Sequence, residues 1–178
     1  MASGVLSVWS LWLEPDEKTN LKFRNAITSL SSLSPASPNF LPHVTLYGSI
    51  DLSTEPSVIR KHLEAIIAQS RQSEPLRLPV LSPSTGEAFF QCILAPVEPV
   101  EPLLKLQSRC EEVWGRKSPY FPHVSLKYGD IGAERREEIA ERAREESLPE
   151  MVAVRGISIV RCVGMADQWE VVDVVPFD

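Results

Sequence analysis

The chain has 178 residues, 43% apolar and 24% charged, enough for one full-sized core or two small lobes sharing one. A net charge of −6, with bases interleaved among acids as in Glu134-Arg135-Arg136-Glu137-Glu138, leaves no basic stripe for long nucleic acid and better suits a small phosphorylated ligand. No apolar run approaches a membrane span, and Met1 to Ser7 lacks the basic segment of a secretory signal, so the expectation is a soluble cytoplasmic monomer without a membrane partner.

Val5 to Leu13 is apolar and β-prone and reads as a buried strand. Glu14-Pro15-Asp16-Glu17 suits a helix start, and Phe23, Ala26, Ile27, Leu30 and Leu33 follow at helical spacing. After a loop over Ser34 to Pro38, His43 to Ile50 is a strand. Ser53 or Thr54 is placed to cap a helix carrying Ile59, Leu63, Ile66 and Ile67. Leu76 to Val80 and Ala88 to Ala95 read as strands joined by the turn Ser82-Pro83-Ser84-Thr85-Gly86. Leu103, Leu106, Cys110, Val113 and Trp114 mark a third helix. His123 to Tyr128 is a strand, and Ala133 to Glu146 is a charged helix with a solvated face. Met151 to Cys162 and Trp169 to Val175 are closing strands, with Met165-Ala166-Asp167 in the turn.

This order, β-α-β-α-β-β-α-β-α-β-β, divides into two halves that share the run α-β-α-β-β. A repeated phrase supports the division. Phe40-Leu41-Pro42-His43-Val44-Thr45-Leu46 matches Tyr120-Phe121-Pro122-His123-Val124-Ser125-Leu126, and each copy runs on to a tyrosine and glycine, Tyr47-Gly48 and Tyr128-Gly129. The two histidines lie 80 residues apart, a little under half the chain. An internal duplication follows, and with it an α+β fold of two pseudo-symmetric lobes, their antiparallel-rich sheets facing a central cleft. Residues 1–178 are expected to form a single bilobal domain.

Side chains alternate along a strand, so His43 and Thr45 share one face and Val44 takes the other. His123, Ser125 and Val124 repeat the arrangement. Facing lobes would bring two imidazoles and two hydroxyls to one cavity. Phosphoester cleavage needs a base for the attacking oxygen and an acid for the leaving oxygen, roughly in line across phosphorus. Imidazole titrates near neutrality and serves in either role, and hydroxyls can donate to the non-bridging oxygens. That chemistry requires no metal or other cofactor. Cys92, Cys110 and Cys162 are far apart, have no zinc spacing, and read as buried thiols. His62 borders the apolar stripe of its helix and reads as structural or surface.

The double motif resembles that of the 2H phosphoesterases, defined by two His-x-Thr/Ser motifs on a bilobal scaffold. Ser7-Val8-Trp9, Ser84-Thr85-Gly86, Phe89-Phe90-Gln91-Cys92 and Ser118-Pro119 before the second motif make the chain most similar to the plant and fungal cyclic phosphodiesterases. That resemblance implies a small-molecule cyclic phosphate substrate. It implies opening of nucleoside 2′,3′-cyclic phosphates to 2′-phosphates, and of ADP-ribose 1″,2″-cyclic phosphate to ADP-ribose 1″-phosphate downstream of tRNA splicing. His43, Thr45, His123 and Ser125 become the catalytic set, with His123 expected as base and His43 as acid. Trp9, Phe90 and Tyr128 match aromatic positions that line the family's cleft. Strict alternation puts Lys127, not Tyr128, on the active face, where it could attract a phosphate. Tyr128 reaches the cleft only if the strand bulges or ends, which Gly129 would allow. Two other readings share these residues: an RNA end-processing enzyme, disfavoured by the acidic balance, and a non-catalytic nucleotide-binding module, disfavoured by two intact motifs.

Overall fold

Strand β1 (Leu6–Pro15) leads into helix α1 (Glu17–Ser31), whose N-cap Asp16 accepts a hydrogen bond from the Thr19 amide at 2.9 Å. There follow β2 (Val44–Ile50), α2 (Pro56–Ser70), β3 (Leu76–Pro79), β4 (Ser84–Thr85), β5 (Ile93–Pro96) and α3 (Glu101–Trp114). Strand β6 (His123–Lys127), helix α4 (Ala133–Glu145), β7 (Met151–Gly164) and β8 (Glu170–Pro176) complete the order. This computed structural model describes residues 4–70, 75–117 and 119–177. Ser118 of the second motif segment and residues 1–3 lie outside them.

Three local expectations change. Inside the expected turn Ser82 to Gly86, Ser84 and Thr85 form β4, paired with Leu94 and Ile93 of β5. Ser53 and Thr54 do not cap α2. They sit in a turn around Asp51, whose carboxylate accepts from the Ser53 amide at 2.8 Å, and the helix starts at Pro56, where a missing N–H costs nothing. The strand expected from Ala88 is instead a 3₁₀ turn over Phe89–Gln91, with β5 beginning only at Ile93. Gly86 makes the turn possible, because a Cβ there would lie 2.5 Å from the Gln91 carbonyl oxygen.

The strands form an antiparallel sheet in the order β3-β7-β1-β2-β6-β5-β4, with β8 also on β7. It consists of two half-sheets that meet at a single residue pair, Val44 opposite Val124. The halves have exchanged strands: β4 pairs with β5, and β7 from the second half lies along β1 of the first. The helices cross over in the same way, α1 packing against β6 and α3 against β2. One face of the sheet, with Leu11, Leu13, Val44, Leu46, Val124 and Leu126, forms the main core with Phe23, Leu63, Leu106 and Ile139 from the four helices.

Both motif strands carry a bulge at the same place. Trp12 pairs with Thr45 and Leu11 with Tyr47, leaving Leu46 extra; Leu94 pairs with Ser125 and Ile93 with Lys127, leaving Leu126 extra. Leu46 and Leu126 are 80 residues apart, like the histidines. Each bulge puts two successive side chains on the helix side and reverses the alternation beyond it. The structural partner of Lys127 is therefore Tyr47, and both are buried there. The two tyrosine-glycine pairs of the sequence are one residue out of register.

Candidate active site

A cavity of about 320 Å³ opens on the other face of the sheet, where the half-sheets meet. His43, Thr45, His123 and Ser125 all line it, with Trp12, Phe90 and Tyr128. The register Val44–Val124 places His43 across from Ser125 and Thr45 across from His123. Each imidazole thus neighbours the other strand's hydroxyl. The two histidines are diagonal neighbours, residues roughly 7–8 Å apart in such a pair. That separation leaves room for one phosphoryl group between them.

The same short-range contact orients both rings. His43 Nδ1 lies 2.7 Å from the Leu41 carbonyl oxygen, and His123 Nδ1 lies 2.7 Å from that of Phe121. A carbonyl only accepts, so Nδ1 carries a proton in each ring. Nε2 is then the reactive nitrogen on both sides: a lone pair in the neutral ring, a donor in the cation. Pro42 and Pro122 stand inside these two loops and help set the geometry, because proline fixes φ and has no competing N–H.

The two environments are not equal. His43 is 6% exposed and its ring lies flat on Trp12, centroids 3.5 Å apart and planes 3° apart. Desolvation lowers its pKa to about 4, offset in part by the Leu41 carbonyl and reinforced by His123. His123 is half-buried, and desolvation lowers its pKa as well. Both rings are therefore neutral at pH 7 in the unliganded protein.

The hydroxyls differ too. Ser125 donates to the Phe90 carbonyl at 2.8 Å, and the Tyr128 hydroxyl lies against it. Among the described residues the Thr45 hydroxyl has no partner, which leaves its proton available to a ligand oxygen.

Of the aromatic residues expected in the cleft, Phe90 and Tyr128 line it and Trp9 does not. Trp9 packs in the main core with Leu11 and Leu13, because odd-numbered side chains of β1 point to the helices. The even face, with Ser10 and Trp12, points to the cavity. Trp12 Nε1 donates to Ser10 Oγ at 3.0 Å, which holds the indole against His43. The sequence could not choose between these faces, since β1 is apolar on both and carries a serine on each, Ser7 and Ser10. Phe90 reaches the cavity from the 3₁₀ turn, and not by strand alternation. Tyr128 gets there through the bulge at Leu126; it is 2% exposed and stacks on Phe40 at 3.8 Å. Lys127 points away. Its Nζ is buried at the end of α1, bonded to the Leu30 and Leu33 carbonyls at 3.1 Å each and to Ser37 Oγ at 3.2 Å.

Trp169 and Arg116 also line the cavity, and no sequence pattern singled them out. His62 is exposed and meets the edge of Trp114. The three cysteines are buried and unpaired; burial pushes the thiols of Cys110 and Cys162 up to about 12. Among the described residues no three His, Cys, Asp or Glu side chains cluster as metal ligands, and no helix is long and apolar enough to cross a membrane.

The family model described as "Cyclic phosphodiesterase-like protein" matches residues 7–177, which include both motifs and every cavity residue named here. The chain belongs to this family. Its cyclic phosphodiesterase-like relatives include a Yarrowia lipolytica "2′,3′-cyclic-nucleotide 3′-phosphodiesterase", 27% identical over 94% of this chain and 99% of that one. An Arabidopsis thaliana "Cyclic phosphodiesterase" is 28% identical over 76% of this chain and 73% of its own. Two solved structures share the fold. The Thermus thermophilus protein TT0787 superposes with a TM-score of 0.57 at 16% identity, covering 96% of this chain and 97% of that one. Escherichia coli LigT in its apo form gives 0.55 at 11% identity, covering 98% of each chain. The chain is thus a cyclic phosphodiesterase-like hydrolase of the 2H phosphoesterase superfamily.

Proposed function

We propose that this protein hydrolyses five-membered cyclic phosphates on ribose, without a metal. Its substrates are nucleoside 2′,3′-cyclic phosphates, opened to 2′-phosphates, and the ADP-ribose 1″,2″-cyclic phosphate that tRNA splicing generates. The observation that carries this reading is the matched pair of imidazoles, each with Nδ1 bound to a carbonyl two residues back and Nε2 left for the cavity.

In this mechanism one neutral imidazole takes the proton of a water as its oxygen attacks phosphorus. The bond from phosphorus to the ribose 3′-oxygen breaks on the far side, and the other imidazole, protonated, delivers its Nε2 proton to that oxygen. Thr45, and Ser125 once released from the Phe90 carbonyl, donate to the non-bridging oxygens as their charge grows. Both rings are neutral before substrate arrives, so the anionic phosphate itself must draw one proton onto the pair.

The expectation from sequence makes His123 the base, whereas the deeper burial of His43 favours the reverse. A substrate with a nitrophenyl leaving group, which needs no acid, distinguishes them: it rescues the variant lacking the acid and not the variant lacking the base. Replacing either histidine by alanine should cost on the order of 10²–10⁴ in kcat on 2′,3′-cyclic AMP in the presence of chelator. Wild-type-like turnover by His43→Ala or His123→Ala would sink the proposal.

A further inference from the structure

Among the described residues lining the cavity, Arg116 is the one charged side chain other than histidine, in a protein of net charge −6. It follows Gly115, whose left-handed φ of 78° ends α3 and turns the chain toward the cleft. Its backbone amide donates to the Tyr47 hydroxyl at 3.1 Å, which ties the residue to strand β2. Its side chain is exposed, and among the described residues no carboxylate pairs with its guanidinium, whereas those of Arg60, Arg135 and Arg142 are paired. An unpaired cation at the mouth of an otherwise uncharged cavity suits a ligand anion. The cyclic phosphate is already served by two imidazoles and two hydroxyls.

The geometry points to Arg116 as the subsite for a second anion: the phosphoryl group on the 5-carbon of the ribose whose cyclic phosphate is opened. Guanidinium binds such a group with two parallel N–H bonds. An exposed position lets whatever the phosphoryl carries continue into solvent. A nucleoside 5′-phosphate, the pyrophosphate of a dinucleotide and the last linkage of an oligonucleotide all present this chemistry. The assignment rests on the cyclic-phosphodiesterase reading and names the substrate feature that this site prefers.

Two measurements test it. The first is the affinity of wild type, Arg116→Gln and Arg116→Lys for adenosine 2′,5′-bisphosphate and for adenosine 2′-monophosphate. The second is kcat/KM for adenosine 2′,3′-cyclic phosphate with and without a 5′-phosphate, for ADP-ribose 1″,2″-cyclic phosphate and for an oligonucleotide ending in a cyclic phosphate. The wild type should favour the 5′-phosphorylated member of each pair. Arg116→Gln should cut that preference about tenfold, the loss of one charge-assisted contact, chiefly through KM, while Arg116→Lys retains part of it. The subsite is refuted if wild type shows no preference, or if Arg116→Gln weakens both members of each pair equally. Failure of the wild type to turn over any cyclic phosphate would refute the enzymatic reading alone, and the bisphosphate affinity ratio would still decide the role of Arg116. Among the extended substrates, the one whose kcat/KM depends most on Arg116 identifies the source of the anion.

Discussion

Burial of a neutral His43 makes stability depend on pH, and this tests the described geometry without substrate. Lowering the imidazole pKa from 6.5 to about 4 makes the cation about 3 kcal/mol less favourable in the fold than in the unfolded chain. The unfolded chain binds the extra proton between these two values. His43 therefore contributes its full stability above pH ~6.5, and the contribution is lost as pH falls from there toward 4; by pH 5 about 2 kcal/mol of it is gone. His123, lowered by the same cause, adds a loss of the same sign. The assay is denaturant unfolding of wild type and His43→Gln from pH 7.5 to 4.5 in an anion-poor buffer, since a bound phosphate would raise both pKa values. The stability difference between the two proteins should shrink by about 2 kcal/mol from pH 7.5 to pH 5. Proton resonances of the ring should give a midpoint for His43 well below that of an exposed imidazole. Parallel stability curves, or a His43 midpoint at 6.5 or above, would refute the stacked, desolvated ring against Trp12.

Lys127→Met should destabilise by about 3 kcal/mol or more in thermal or urea unfolding, because it removes a buried ammonium that bonds the Leu30 and Leu33 carbonyls and Ser37 Oγ together at the end of α1; a loss under about 1 kcal/mol would mean water replaces the ammonium. Trp12→Leu should lower kcat/KM about tenfold by releasing His43. Trp9→Leu should instead cost about 2 kcal/mol of stability with kcat retained, since Trp9 packs in the core; the reverse pattern would exchange the two faces of β1. Gly86→Ala should cost at least about 1 kcal/mol and lower activity, because the added Cβ meets the Gln91 carbonyl and displaces the turn that places Phe90 in the cavity; unaltered activity would show that the turn adapts.

The parts of this site legible in the sequence are those governed by neighbours along the chain. A period of two puts His43 with Thr45 and His123 with Ser125, opposite Val44 and Val124, whatever else the fold does. Helical spacing likewise marks the buried stripes of α1, α2 and α3. The repeat itself announces two equivalent strands. Local pattern fails at Phe90, where a strand-like run becomes a 3₁₀ turn because the chain folds back over Gly86. It fails at Trp9 and Trp12 because β1 is mostly apolar on both faces, with one serine on each, and has no polar face to orient it.

Residue identity and short-range alternation were thus enough to specify the reactive pairs, the repeated motif and the acidic balance. Which distant segments complete the site was a matter for long-range packing. The exchange of β4 and β7 between half-sheets and the pairing of β2 with β6 at Val44–Val124 bring the two motifs together. Strand pairing also set the bulges at Leu46 and Leu126, which turn Lys127 into the core and Tyr128 into the cleft. A bulge is a property of two strands in register, so one strand's sequence does not contain it. The same holds for Trp12 beneath His43 and for Arg116 at the mouth, each placed by packing between segments far apart in the chain.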